Sequence, residues 1–158
     1  MAVLNRYQLL HYMNTGTTVA PEYNLVNEGV TTFDSSIEPE TEDVHYVGEQ
    51  NARTLTTGVK ASYSFTAGYD ETDAVSSLLY QVCAGQVLDR EVEVVHVETW
   101  GNDSTALAAR KMTYTIAPSK EPSGDPGSML TMEGELNQVG GITTGTFNMT
   151  TKVFTATP

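Results

Sequence analysis

The chain has 158 residues, enough for one domain with a single hydrophobic core. It carries 8 Lys and Arg against 20 Asp and Glu, and its net charge of −12 excludes nucleic-acid binding by phosphate neutralisation. No apolar run approaches the roughly 18 residues that indicate a membrane span, and the N-terminus lacks a signal-peptide pattern. Cys83 is the single cysteine, so the chain forms no internal disulfide. We therefore expect synthesis in the cytoplasm and no membrane partner.

The surface is poor in charge for a protein of this size. Charged residues make up 18% of the chain, below the usual share of about 25%, and β-branched Thr is abundant. A free subunit should expose roughly 7,700 Å² by the surface scaling law. Two explanations stay open: other subunits cover much of this surface, or Thr and Ser side chains solvate it.

The first 60 residues predict an arm, a short strand and a long loop. Residues 1–20 predict an extended N-terminal arm, since an apolar stretch at Leu9–Met13 precedes a flexible Thr- and Gly-rich one. A short strand at Tyr23–Val26 follows. From Glu22 to Glu49 there are eight Asp or Glu and no Lys or Arg, which favours a segment docked on a partner. Residues 38–57 are therefore predicted to form a long acidic loop.

The rest of the chain alternates between apolar and polar residues with period two, which indicates half-buried strands. The predicted strands are Lys60–Ala67, Glu91–Trp100, 110–116, 130–137 and 147–153. In Glu91–Trp100 the apolar parity changes at Val94, so we expect either a bulge or burial of both faces. Gly140–Gly145 is predicted to be a hairpin turn and Ser119–Ser128 a flexible loop.

One amphipathic helix is predicted between the first two long strands. Val75, Leu78, Leu79 and Val82 repeat with helical spacing, Asp70 or Thr72 is placed to cap the start, and Gly85 to end the helix. The predicted fold class is mainly β: an antiparallel sandwich or barrel with one flanking α-helix, an N-terminal arm and a long acidic loop.

No catalytic, cofactor or metal motif occurs, so we predict that the chain is not an enzyme and binds no cofactor. His11, His45 and His96 lack the spacing of metal ligands. Two alternatives remain open. The acids in residues 38–43 have the ligand type that calcium prefers, without the spacing of an EF-hand. The second alternative is a carbohydrate-binding β-sandwich module, which would need exposed aromatic residues and a secretion signal, and neither is evident in the sequence.

The order of these elements resembles a known family. Phe33-Asp34-Ser35-Ser36 leads into the acidic segment, and Gly58 leads into the strand Lys60–Ala67. The helix Asp73–Ala84, the strand Glu91–Trp100 and a C-terminal Gly-Thr-Phe hairpin follow. In this layout the chain resembles the major tail tube proteins of long-tailed (siphovirus-type) bacteriophages. Tube proteins of contractile tails and of type VI-like injection systems share the architecture.

The resemblance implies a structural virion protein rather than an enzyme. Such subunits form hexameric rings that stack head to tail around a tape-measure protein, and the emptied lumen conducts DNA. The implied partners are other copies of the chain, the tape-measure protein, the tail terminator and the baseplate or distal tail proteins. DNA would pass in transit without specific binding. The C-terminal immunoglobulin-like domain of some family members has no counterpart up to Pro158, so a single tail-tube domain over residues 1–158 is expected.

Two sets of residues are predicted to serve assembly. The acids that alternate away from the core are the candidates to line the lumen: Glu133, Glu135, Glu91 and Glu93. The acidic loop is predicted to stack one ring on the next. Its acids are Glu38, Glu40, Glu42 and Asp43, its apolar anchors are Tyr46 and Val47, and its expected cationic partners are Arg110, Lys111 and Lys120, placed near loop ends.

Overall fold

The structure is a computed structural model that describes residues 2–101 and 103–158. Within these residues the backbone forms one α-helix, one 3-10 helix and eight strands. In chain order they are the 3-10 helix Arg6–Gln8, β1 Leu9–Asn14, β2 Tyr23–Leu25, β3 Val30–Val44, β4 Arg53–Gly68, α1 Ala74–Gly85, β5 Arg90–Glu98, β6 Leu107–Ser123, β7 Thr131–Asn148 and β8 Val153–Ala156. The predicted mainly β fold with one flanking helix is confirmed.

The strands form one antiparallel sheet in the order β2-β1-β5-β6-β7-β4-β3, and β8 also pairs with β7. Its end strands, β2 and β3, do not pair with each other in the part described, so the sheet is open rather than a closed barrel. With 18 residues, β7 is longer than β4 and β8, the two strands that pair along the same edge of it. Its first half therefore pairs with β4 and its last four residues pair with β8.

Each face of the sheet carries an apolar core. On the face that we call the helix face, the buried apolar residues of α1 share one cluster with Val92, Val94, Tyr114 and Leu136. The opposite face carries a second cluster: Tyr12, Tyr23, Val95, Val97, Leu107, Ala109 and Phe147. β5 thus buries both faces, and its pairing with β6 runs without a register shift. Of the two explanations for its parity change, burial of both faces is the one observed.

Helix α1 forms where its apolar spacing predicts, with different caps. The predicted apolar residues are all buried, and Asp73, rather than Asp70 or Thr72, is the N-cap, because its side chain accepts from the amide of Val75 at 3.3 Å. The helix includes Gly85 and ends at Gln86, which takes the left-handed conformation (φ 50°).

The prediction of an N-terminal arm over residues 1–20 is wrong for its central part; Met1 lies outside the described residues. β1 is an inner strand between β2 and β5, and His11 to Asn14 are buried. Tyr12 packs in the core of one face and Met13 in the core of the other, so the sequence of β1 does not alternate between apolar and polar residues. The Asn14 carboxamide oxygen accepts from the amides of Gly16 and Glu22, which orders the loop that follows.

The prediction of a loop over residues 38–57 is also wrong. β3 and β4 pair from Val30 to Val44, and only residues 45–52 form the turn between them. The acidic composition suggested a loop because both faces of this hairpin meet solvent, so no core marks it in the sequence. Two ion pairs and several hydroxyl contacts within the hairpin relieve the repulsion between its acids.

The later strands are longer than predicted. β6 continues through Pro118 to Ser123, which shortens the predicted loop Ser119–Ser128. β7 runs unbroken through Gly140–Gly145, because the irregularity there is a register shift against β6 and not a turn. The C-terminal hairpin joins β7 to β8 through residues 149–152 instead.

Gly134 on β7 should be a sensitive position of the sheet. A Cβ there would lie 2.8 Å from the Ala117 carbonyl oxygen and 2.8 Å from Cζ of Phe65. Gly134→Ala should therefore lower the free energy of unfolding by about 1–3 kcal/mol, as overpacking does. Gly141→Ala, on the same strand with no atom within 4 Å of the added Cβ, is the matched control. Equal denaturant midpoints for the two variants would contradict this account.

Candidate assembly surface

Residues 37–61 form a projecting hairpin with no third strand beside it. β4 pairs with β7 only from Ser62 to Gly68, and β3 pairs only with β4. Beyond Ser62 the ribbon therefore leaves the backbone amides and carbonyls of both outer edges without strand partners in the part described. A lone two-stranded ribbon is marginally stable in water and a template for further pairing. This segment is the strongest candidate for contact with another molecule.

The strand register divides the base of the projecting hairpin into two faces. Residues directly opposite in a pair lie on the same face, and neighbours along a strand alternate. Glu38 pairs with Lys60, whereas Pro39 pairs with Val59. Ile37 and Val59 are 67% and 64% exposed. One face is thus acidic and the other is apolar and open to solvent, which is typical of a docking segment.

The carboxylates of the projecting hairpin find partners within it. Lys60 Nζ lies 3.1 Å from Glu40 Oε1, and Arg53 Nε donates to Glu49 Oε2 at 3.0 Å. The Thr54 hydroxyl donates to Asp43 Oδ1 at 2.6 Å. Each exposed ion pair contributes only about 0–1 kcal/mol. The pairs relieve repulsion and leave Glu38 and Glu42, both exposed, without an ion pair in the described residues.

The two predicted anchors lie at the tip. Val47 is fully exposed, and Tyr46 is half-exposed with its ring 5.5 Å below the Arg53 guanidinium carbon. His45 Nε2 and the Glu49 carbonyl oxygen, 2.7 Å apart, close the turn. An apolar side chain without cover at the end of an ordered turn supports the anchor hypothesis for Val47 more directly than for Tyr46.

The three predicted cationic partners are not near loop ends as a group. Arg110 lies within β6 on the helix face, partly buried beside His96, its strand neighbour. Lys111, next to it, faces the other way and places its ammonium 5.3 Å from the centre of the Phe154 ring. Only Lys120 lies towards the end of β6, where it faces Glu133 across the register. The prediction of their position is wrong for Arg110 and Lys111, because the strand begins at Leu107 and both residues lie inside it rather than at its end.

The four acids predicted to line a lumen share one face of the sheet. Glu91 opposes Thr115, which opposes Asn137 on β7, and Asn137 opposes Ser62 on β4. Glu133 and Glu135 alternate with the buried residues Met132, Gly134 and Leu136, so they face away from the helix. Asp34, which opposes Ser64, lies on the same face, although sequence reasoning did not name it as a lumen candidate. We call this surface the acidic face: Asp34, Glu38, Glu40, Glu91, Glu93, Glu133 and Glu135.

Glu93 differs from the other members of the acidic face. It is half-buried, and its Oε2 accepts from the Tyr23 hydroxyl at 3.2 Å. Burial, and then the nearby Glu93 carboxylate, raise the pKa of Tyr23 to about 12. Tyr23 therefore remains a neutral donor at all physiological pH values. Glu93 is therefore held against Tyr23 at the edge of the second core, whereas Glu91, Glu133 and Glu135 are exposed.

A signal for the projecting hairpin does exist in the sequence. Ile37, Pro39 and Thr41 alternate with Glu38, Glu40 and Glu42, the period of a strand. Sequence reasoning counted the acids and missed this alternation, so it did not identify Ile37, Pro39 and Val59 as an apolar face.

In the described residues, no three His, Cys, Asp or Glu side chains form a group that could hold a metal ion. None of the described helices is long and apolar enough to cross a membrane.

The sequence matches no protein-family model and no curated protein. Its fold matches chains of solved tail assemblies. One is from the tail of an empty gene transfer agent particle, computed with C6 symmetry: the TM-score is 0.63 at 16% identity, over 89% of this chain and 97% of that chain. A chain of the native gene transfer agent virion gives 0.61 at 15% identity, over 90% and 98%. A chain of the anti-feeding prophage baseplate gives 0.52 at 14% identity, over 91% and 95%. At these identities the likeness is one of fold.

Proposed function

We propose that this chain is a structural subunit of a phage-type tail tube, stacking in hexameric rings. The observation that carries the proposal is the match to a chain of a C6-symmetric tail over almost the full length of both chains. The projecting hairpin supports it independently, since an exposed apolar face on a two-stranded ribbon is typical of a docking segment. If the ribbon docks on a different surface of the next copy, the contacts are head to tail and extend without limit. The role is structural, not enzymatic.

The virion is the proposed location, after synthesis in the host cytoplasm. Length control in a head-to-tail polymer requires other components, so the proposed partners are a tape-measure protein, a tail terminator and baseplate or distal tail proteins. Among tail types, the non-contractile tube of a long-tailed phage is our first choice. The tube of a contractile or type VI-like injection system is the second. The likeness to a chain of an extracellular contractile injection system, with a TM-score of 0.50 at 12% identity, supports that second candidate.

Self-assembly is the first expected outcome. Purified full-length protein at high concentration should form rings or tubes with a central hole, visible by negative-stain electron microscopy, because the apolar face of the projecting hairpin gains cover only on another subunit. Rotational averaging of end-on views should give sixfold symmetry. A strict monomer in sedimentation at high concentration, with tail partners also present, would contradict the proposal.

Removing the projecting hairpin should separate folding from assembly. Glu38 and Lys60 face each other, so residues 39–59 are replaced by Asn-Gly, which favours a two-residue hairpin turn. Because the removed residues belong to a ribbon with no other strand neighbour, we expect cooperative unfolding to remain and tubes to disappear. Circular dichroism and electron microscopy check the two results.

The matched control keeps the ribbon and its anchors but removes charge. In this variant Glu38, Glu40 and Glu42 are replaced by Gln and Asp43 by Asn. Exposed pairs contribute little, so tubes should still form. Normal tubes from the shortened variant would place stacking elsewhere in the subunit. Loss of tubes in the charge-neutral control alone would make charge, not apolar contact, the basis of stacking.

The acidic face is proposed to line the lumen. A ring of six subunits has a formal charge of −72, six times the −12 of one subunit, and inward carboxylates repel phosphate so that DNA slides without binding. Replacing Glu133 and Glu135 by Lys should leave tubes intact and slow DNA release from particles. Glu71→Lys with Asp125→Lys, at exposed positions outside the acidic face, makes the same change in net charge. Unchanged release from normally formed Glu133/Glu135 particles would contradict this assignment.

A further inference from the structure

Two buried histidines contact each other at the base of the projecting hairpin. His11 on β1 and His96 on β5 are strand neighbours, 3% and 0% exposed, and their Nδ1 atoms are 2.6 Å apart. His96 Nε2 lies 3.0 Å from the Tyr114 hydroxyl, and the Arg6 guanidinium lies 3.0 Å from His11 Nε2. Neither ring takes part in the proposed assembly surface.

The hydrogen bonds admit one arrangement of protons. Arg6 only donates, so His11 Nε2 accepts and its proton is on Nδ1. His11 Nδ1–H then donates to His96 Nδ1, which leaves the proton of His96 on Nε2, donating to the Tyr114 hydroxyl oxygen. That hydroxyl donates in turn to Met112 Sδ at 3.5 Å. The chain runs in one direction from Arg6 to Met112, with both rings neutral.

An added proton on either ring disrupts the same contact. On His11 it occupies Nε2 and faces the N–H of Arg6. On His96 it occupies Nδ1, so that His11 must accept there and carry its own proton on Nε2. Both cases set an N–H donor of His11 against the Arg6 guanidinium and add a positive charge to the pair of rings. Both histidines lie on inner strands of the sheet, whereas Arg6 is exposed in the 3-10 helix Arg6–Gln8. Arg6 is therefore the group that moves.

Arg6 also holds the N-terminal segment in place. Its guanidinium donates to the Phe33 carbonyl oxygen at 3.2 Å and to that of Leu9 at 2.8 Å, which ties residues 5–8 to the start of β3. Gln8 accepts from the amide and hydroxyl of Thr99. We propose that His11 and His96 form an acid-sensitive latch: proton uptake by either ring releases Arg6, and with it residues 5–8, from the base of the projecting hairpin.

The electrostatic surroundings act in the same direction. The charged and titratable groups facing the pair are Arg6 from the N-terminal segment, Tyr63 from β4, and Arg110 and Tyr114 from β6. Burial first, then His96 and the two guanidiniums, lower the pKa of His11 to about 3; burial and the guanidiniums lower that of His96 to about 4. Release exposes His11 and moves its pKa back towards the ordinary 6.5. The closed latch is therefore fully favoured above pH 6.5 and loses stability as the pH falls below that value towards the closed-state pKa of His11, about 3.

Hydrogen exchange of the full-length, unassembled protein tests the latch. The probes are the Gln8 amide, bonded to the Asn5 carbonyl, and the Thr99 amide, bonded to Gln8. Corrected for intrinsic exchange, their protection should fall by up to tenfold per pH unit between pH 6 and 4, as expected for opening coupled to one proton. Amides in the middle of β5 should keep theirs. Constant protection at Gln8 and Thr99 over this range would overturn the proposal.

Variants and ring spectra complete the test. Arg6→Ala should show low protection at Gln8 and Thr99 already at pH 7.5, with little further pH dependence. His45→Gln, which removes the exposed histidine of the turn, is the matched control and should behave as the parent. Nitrogen NMR of the imidazoles at pH 7.5 should find the proton on Nδ1 of His11 and on Nε2 of His96. The reverse tautomers, or an Arg6→Ala variant with the protection of the parent, would exclude the latch.

Discussion

The antiparallel pairing of β6 with β7 is the contact on which the rest of the structure depends. β5 joins one side of this pair, β4 and β8 join the other, and α1 packs across it. Because β7 is longer than either of its outer neighbours, the sheet divides there. One branch leads to the projecting hairpin and the other to the C-terminal strand. A shorter β7 would remove the hydrogen bonds that hold one of the two branches.

The two-residue period of the strands allows this acidic chain to fold. Along β7, Met132 and Leu136 contact the helix while Glu133 and Glu135 meet solvent, and β5 and β4 continue the same division. Carboxylates therefore collect on one face, where water screens them, and the part of the helix face that α1 covers remains apolar. The protein gains a charged surface without placing a carboxylate in the core that α1 covers.

How much of the fold could be predicted depends on how many faces of a strand are covered. β4 and the first half of β7 have one buried face, so alternation identified them. β1 has two covered faces and the ribbon beyond Ile37 has none, and in both cases composition was misleading. The side of the sheet on which Glu133 and Glu135 lie could be predicted for the same reason as β7, because they alternate with buried residues. The surroundings of Arg110 could not be predicted, since they depend on its pairing with His96, which no local pattern reveals.

The start of β3 sets the direction of the projecting hairpin. From Ile37 to Val44 the ribbon extends about 25 Å at the usual rise of a strand, so a small change of angle at its base moves Val47 by several ångströms. Phe33 stacks on Tyr63 with ring centres 4.7 Å apart, and its carbonyl accepts from Arg6. Aromatic packing and the N-terminal segment thus restrain the base from two directions. The histidine pair lies where these restraints meet, since His11 contacts both the Arg6 guanidinium and the Phe33 ring.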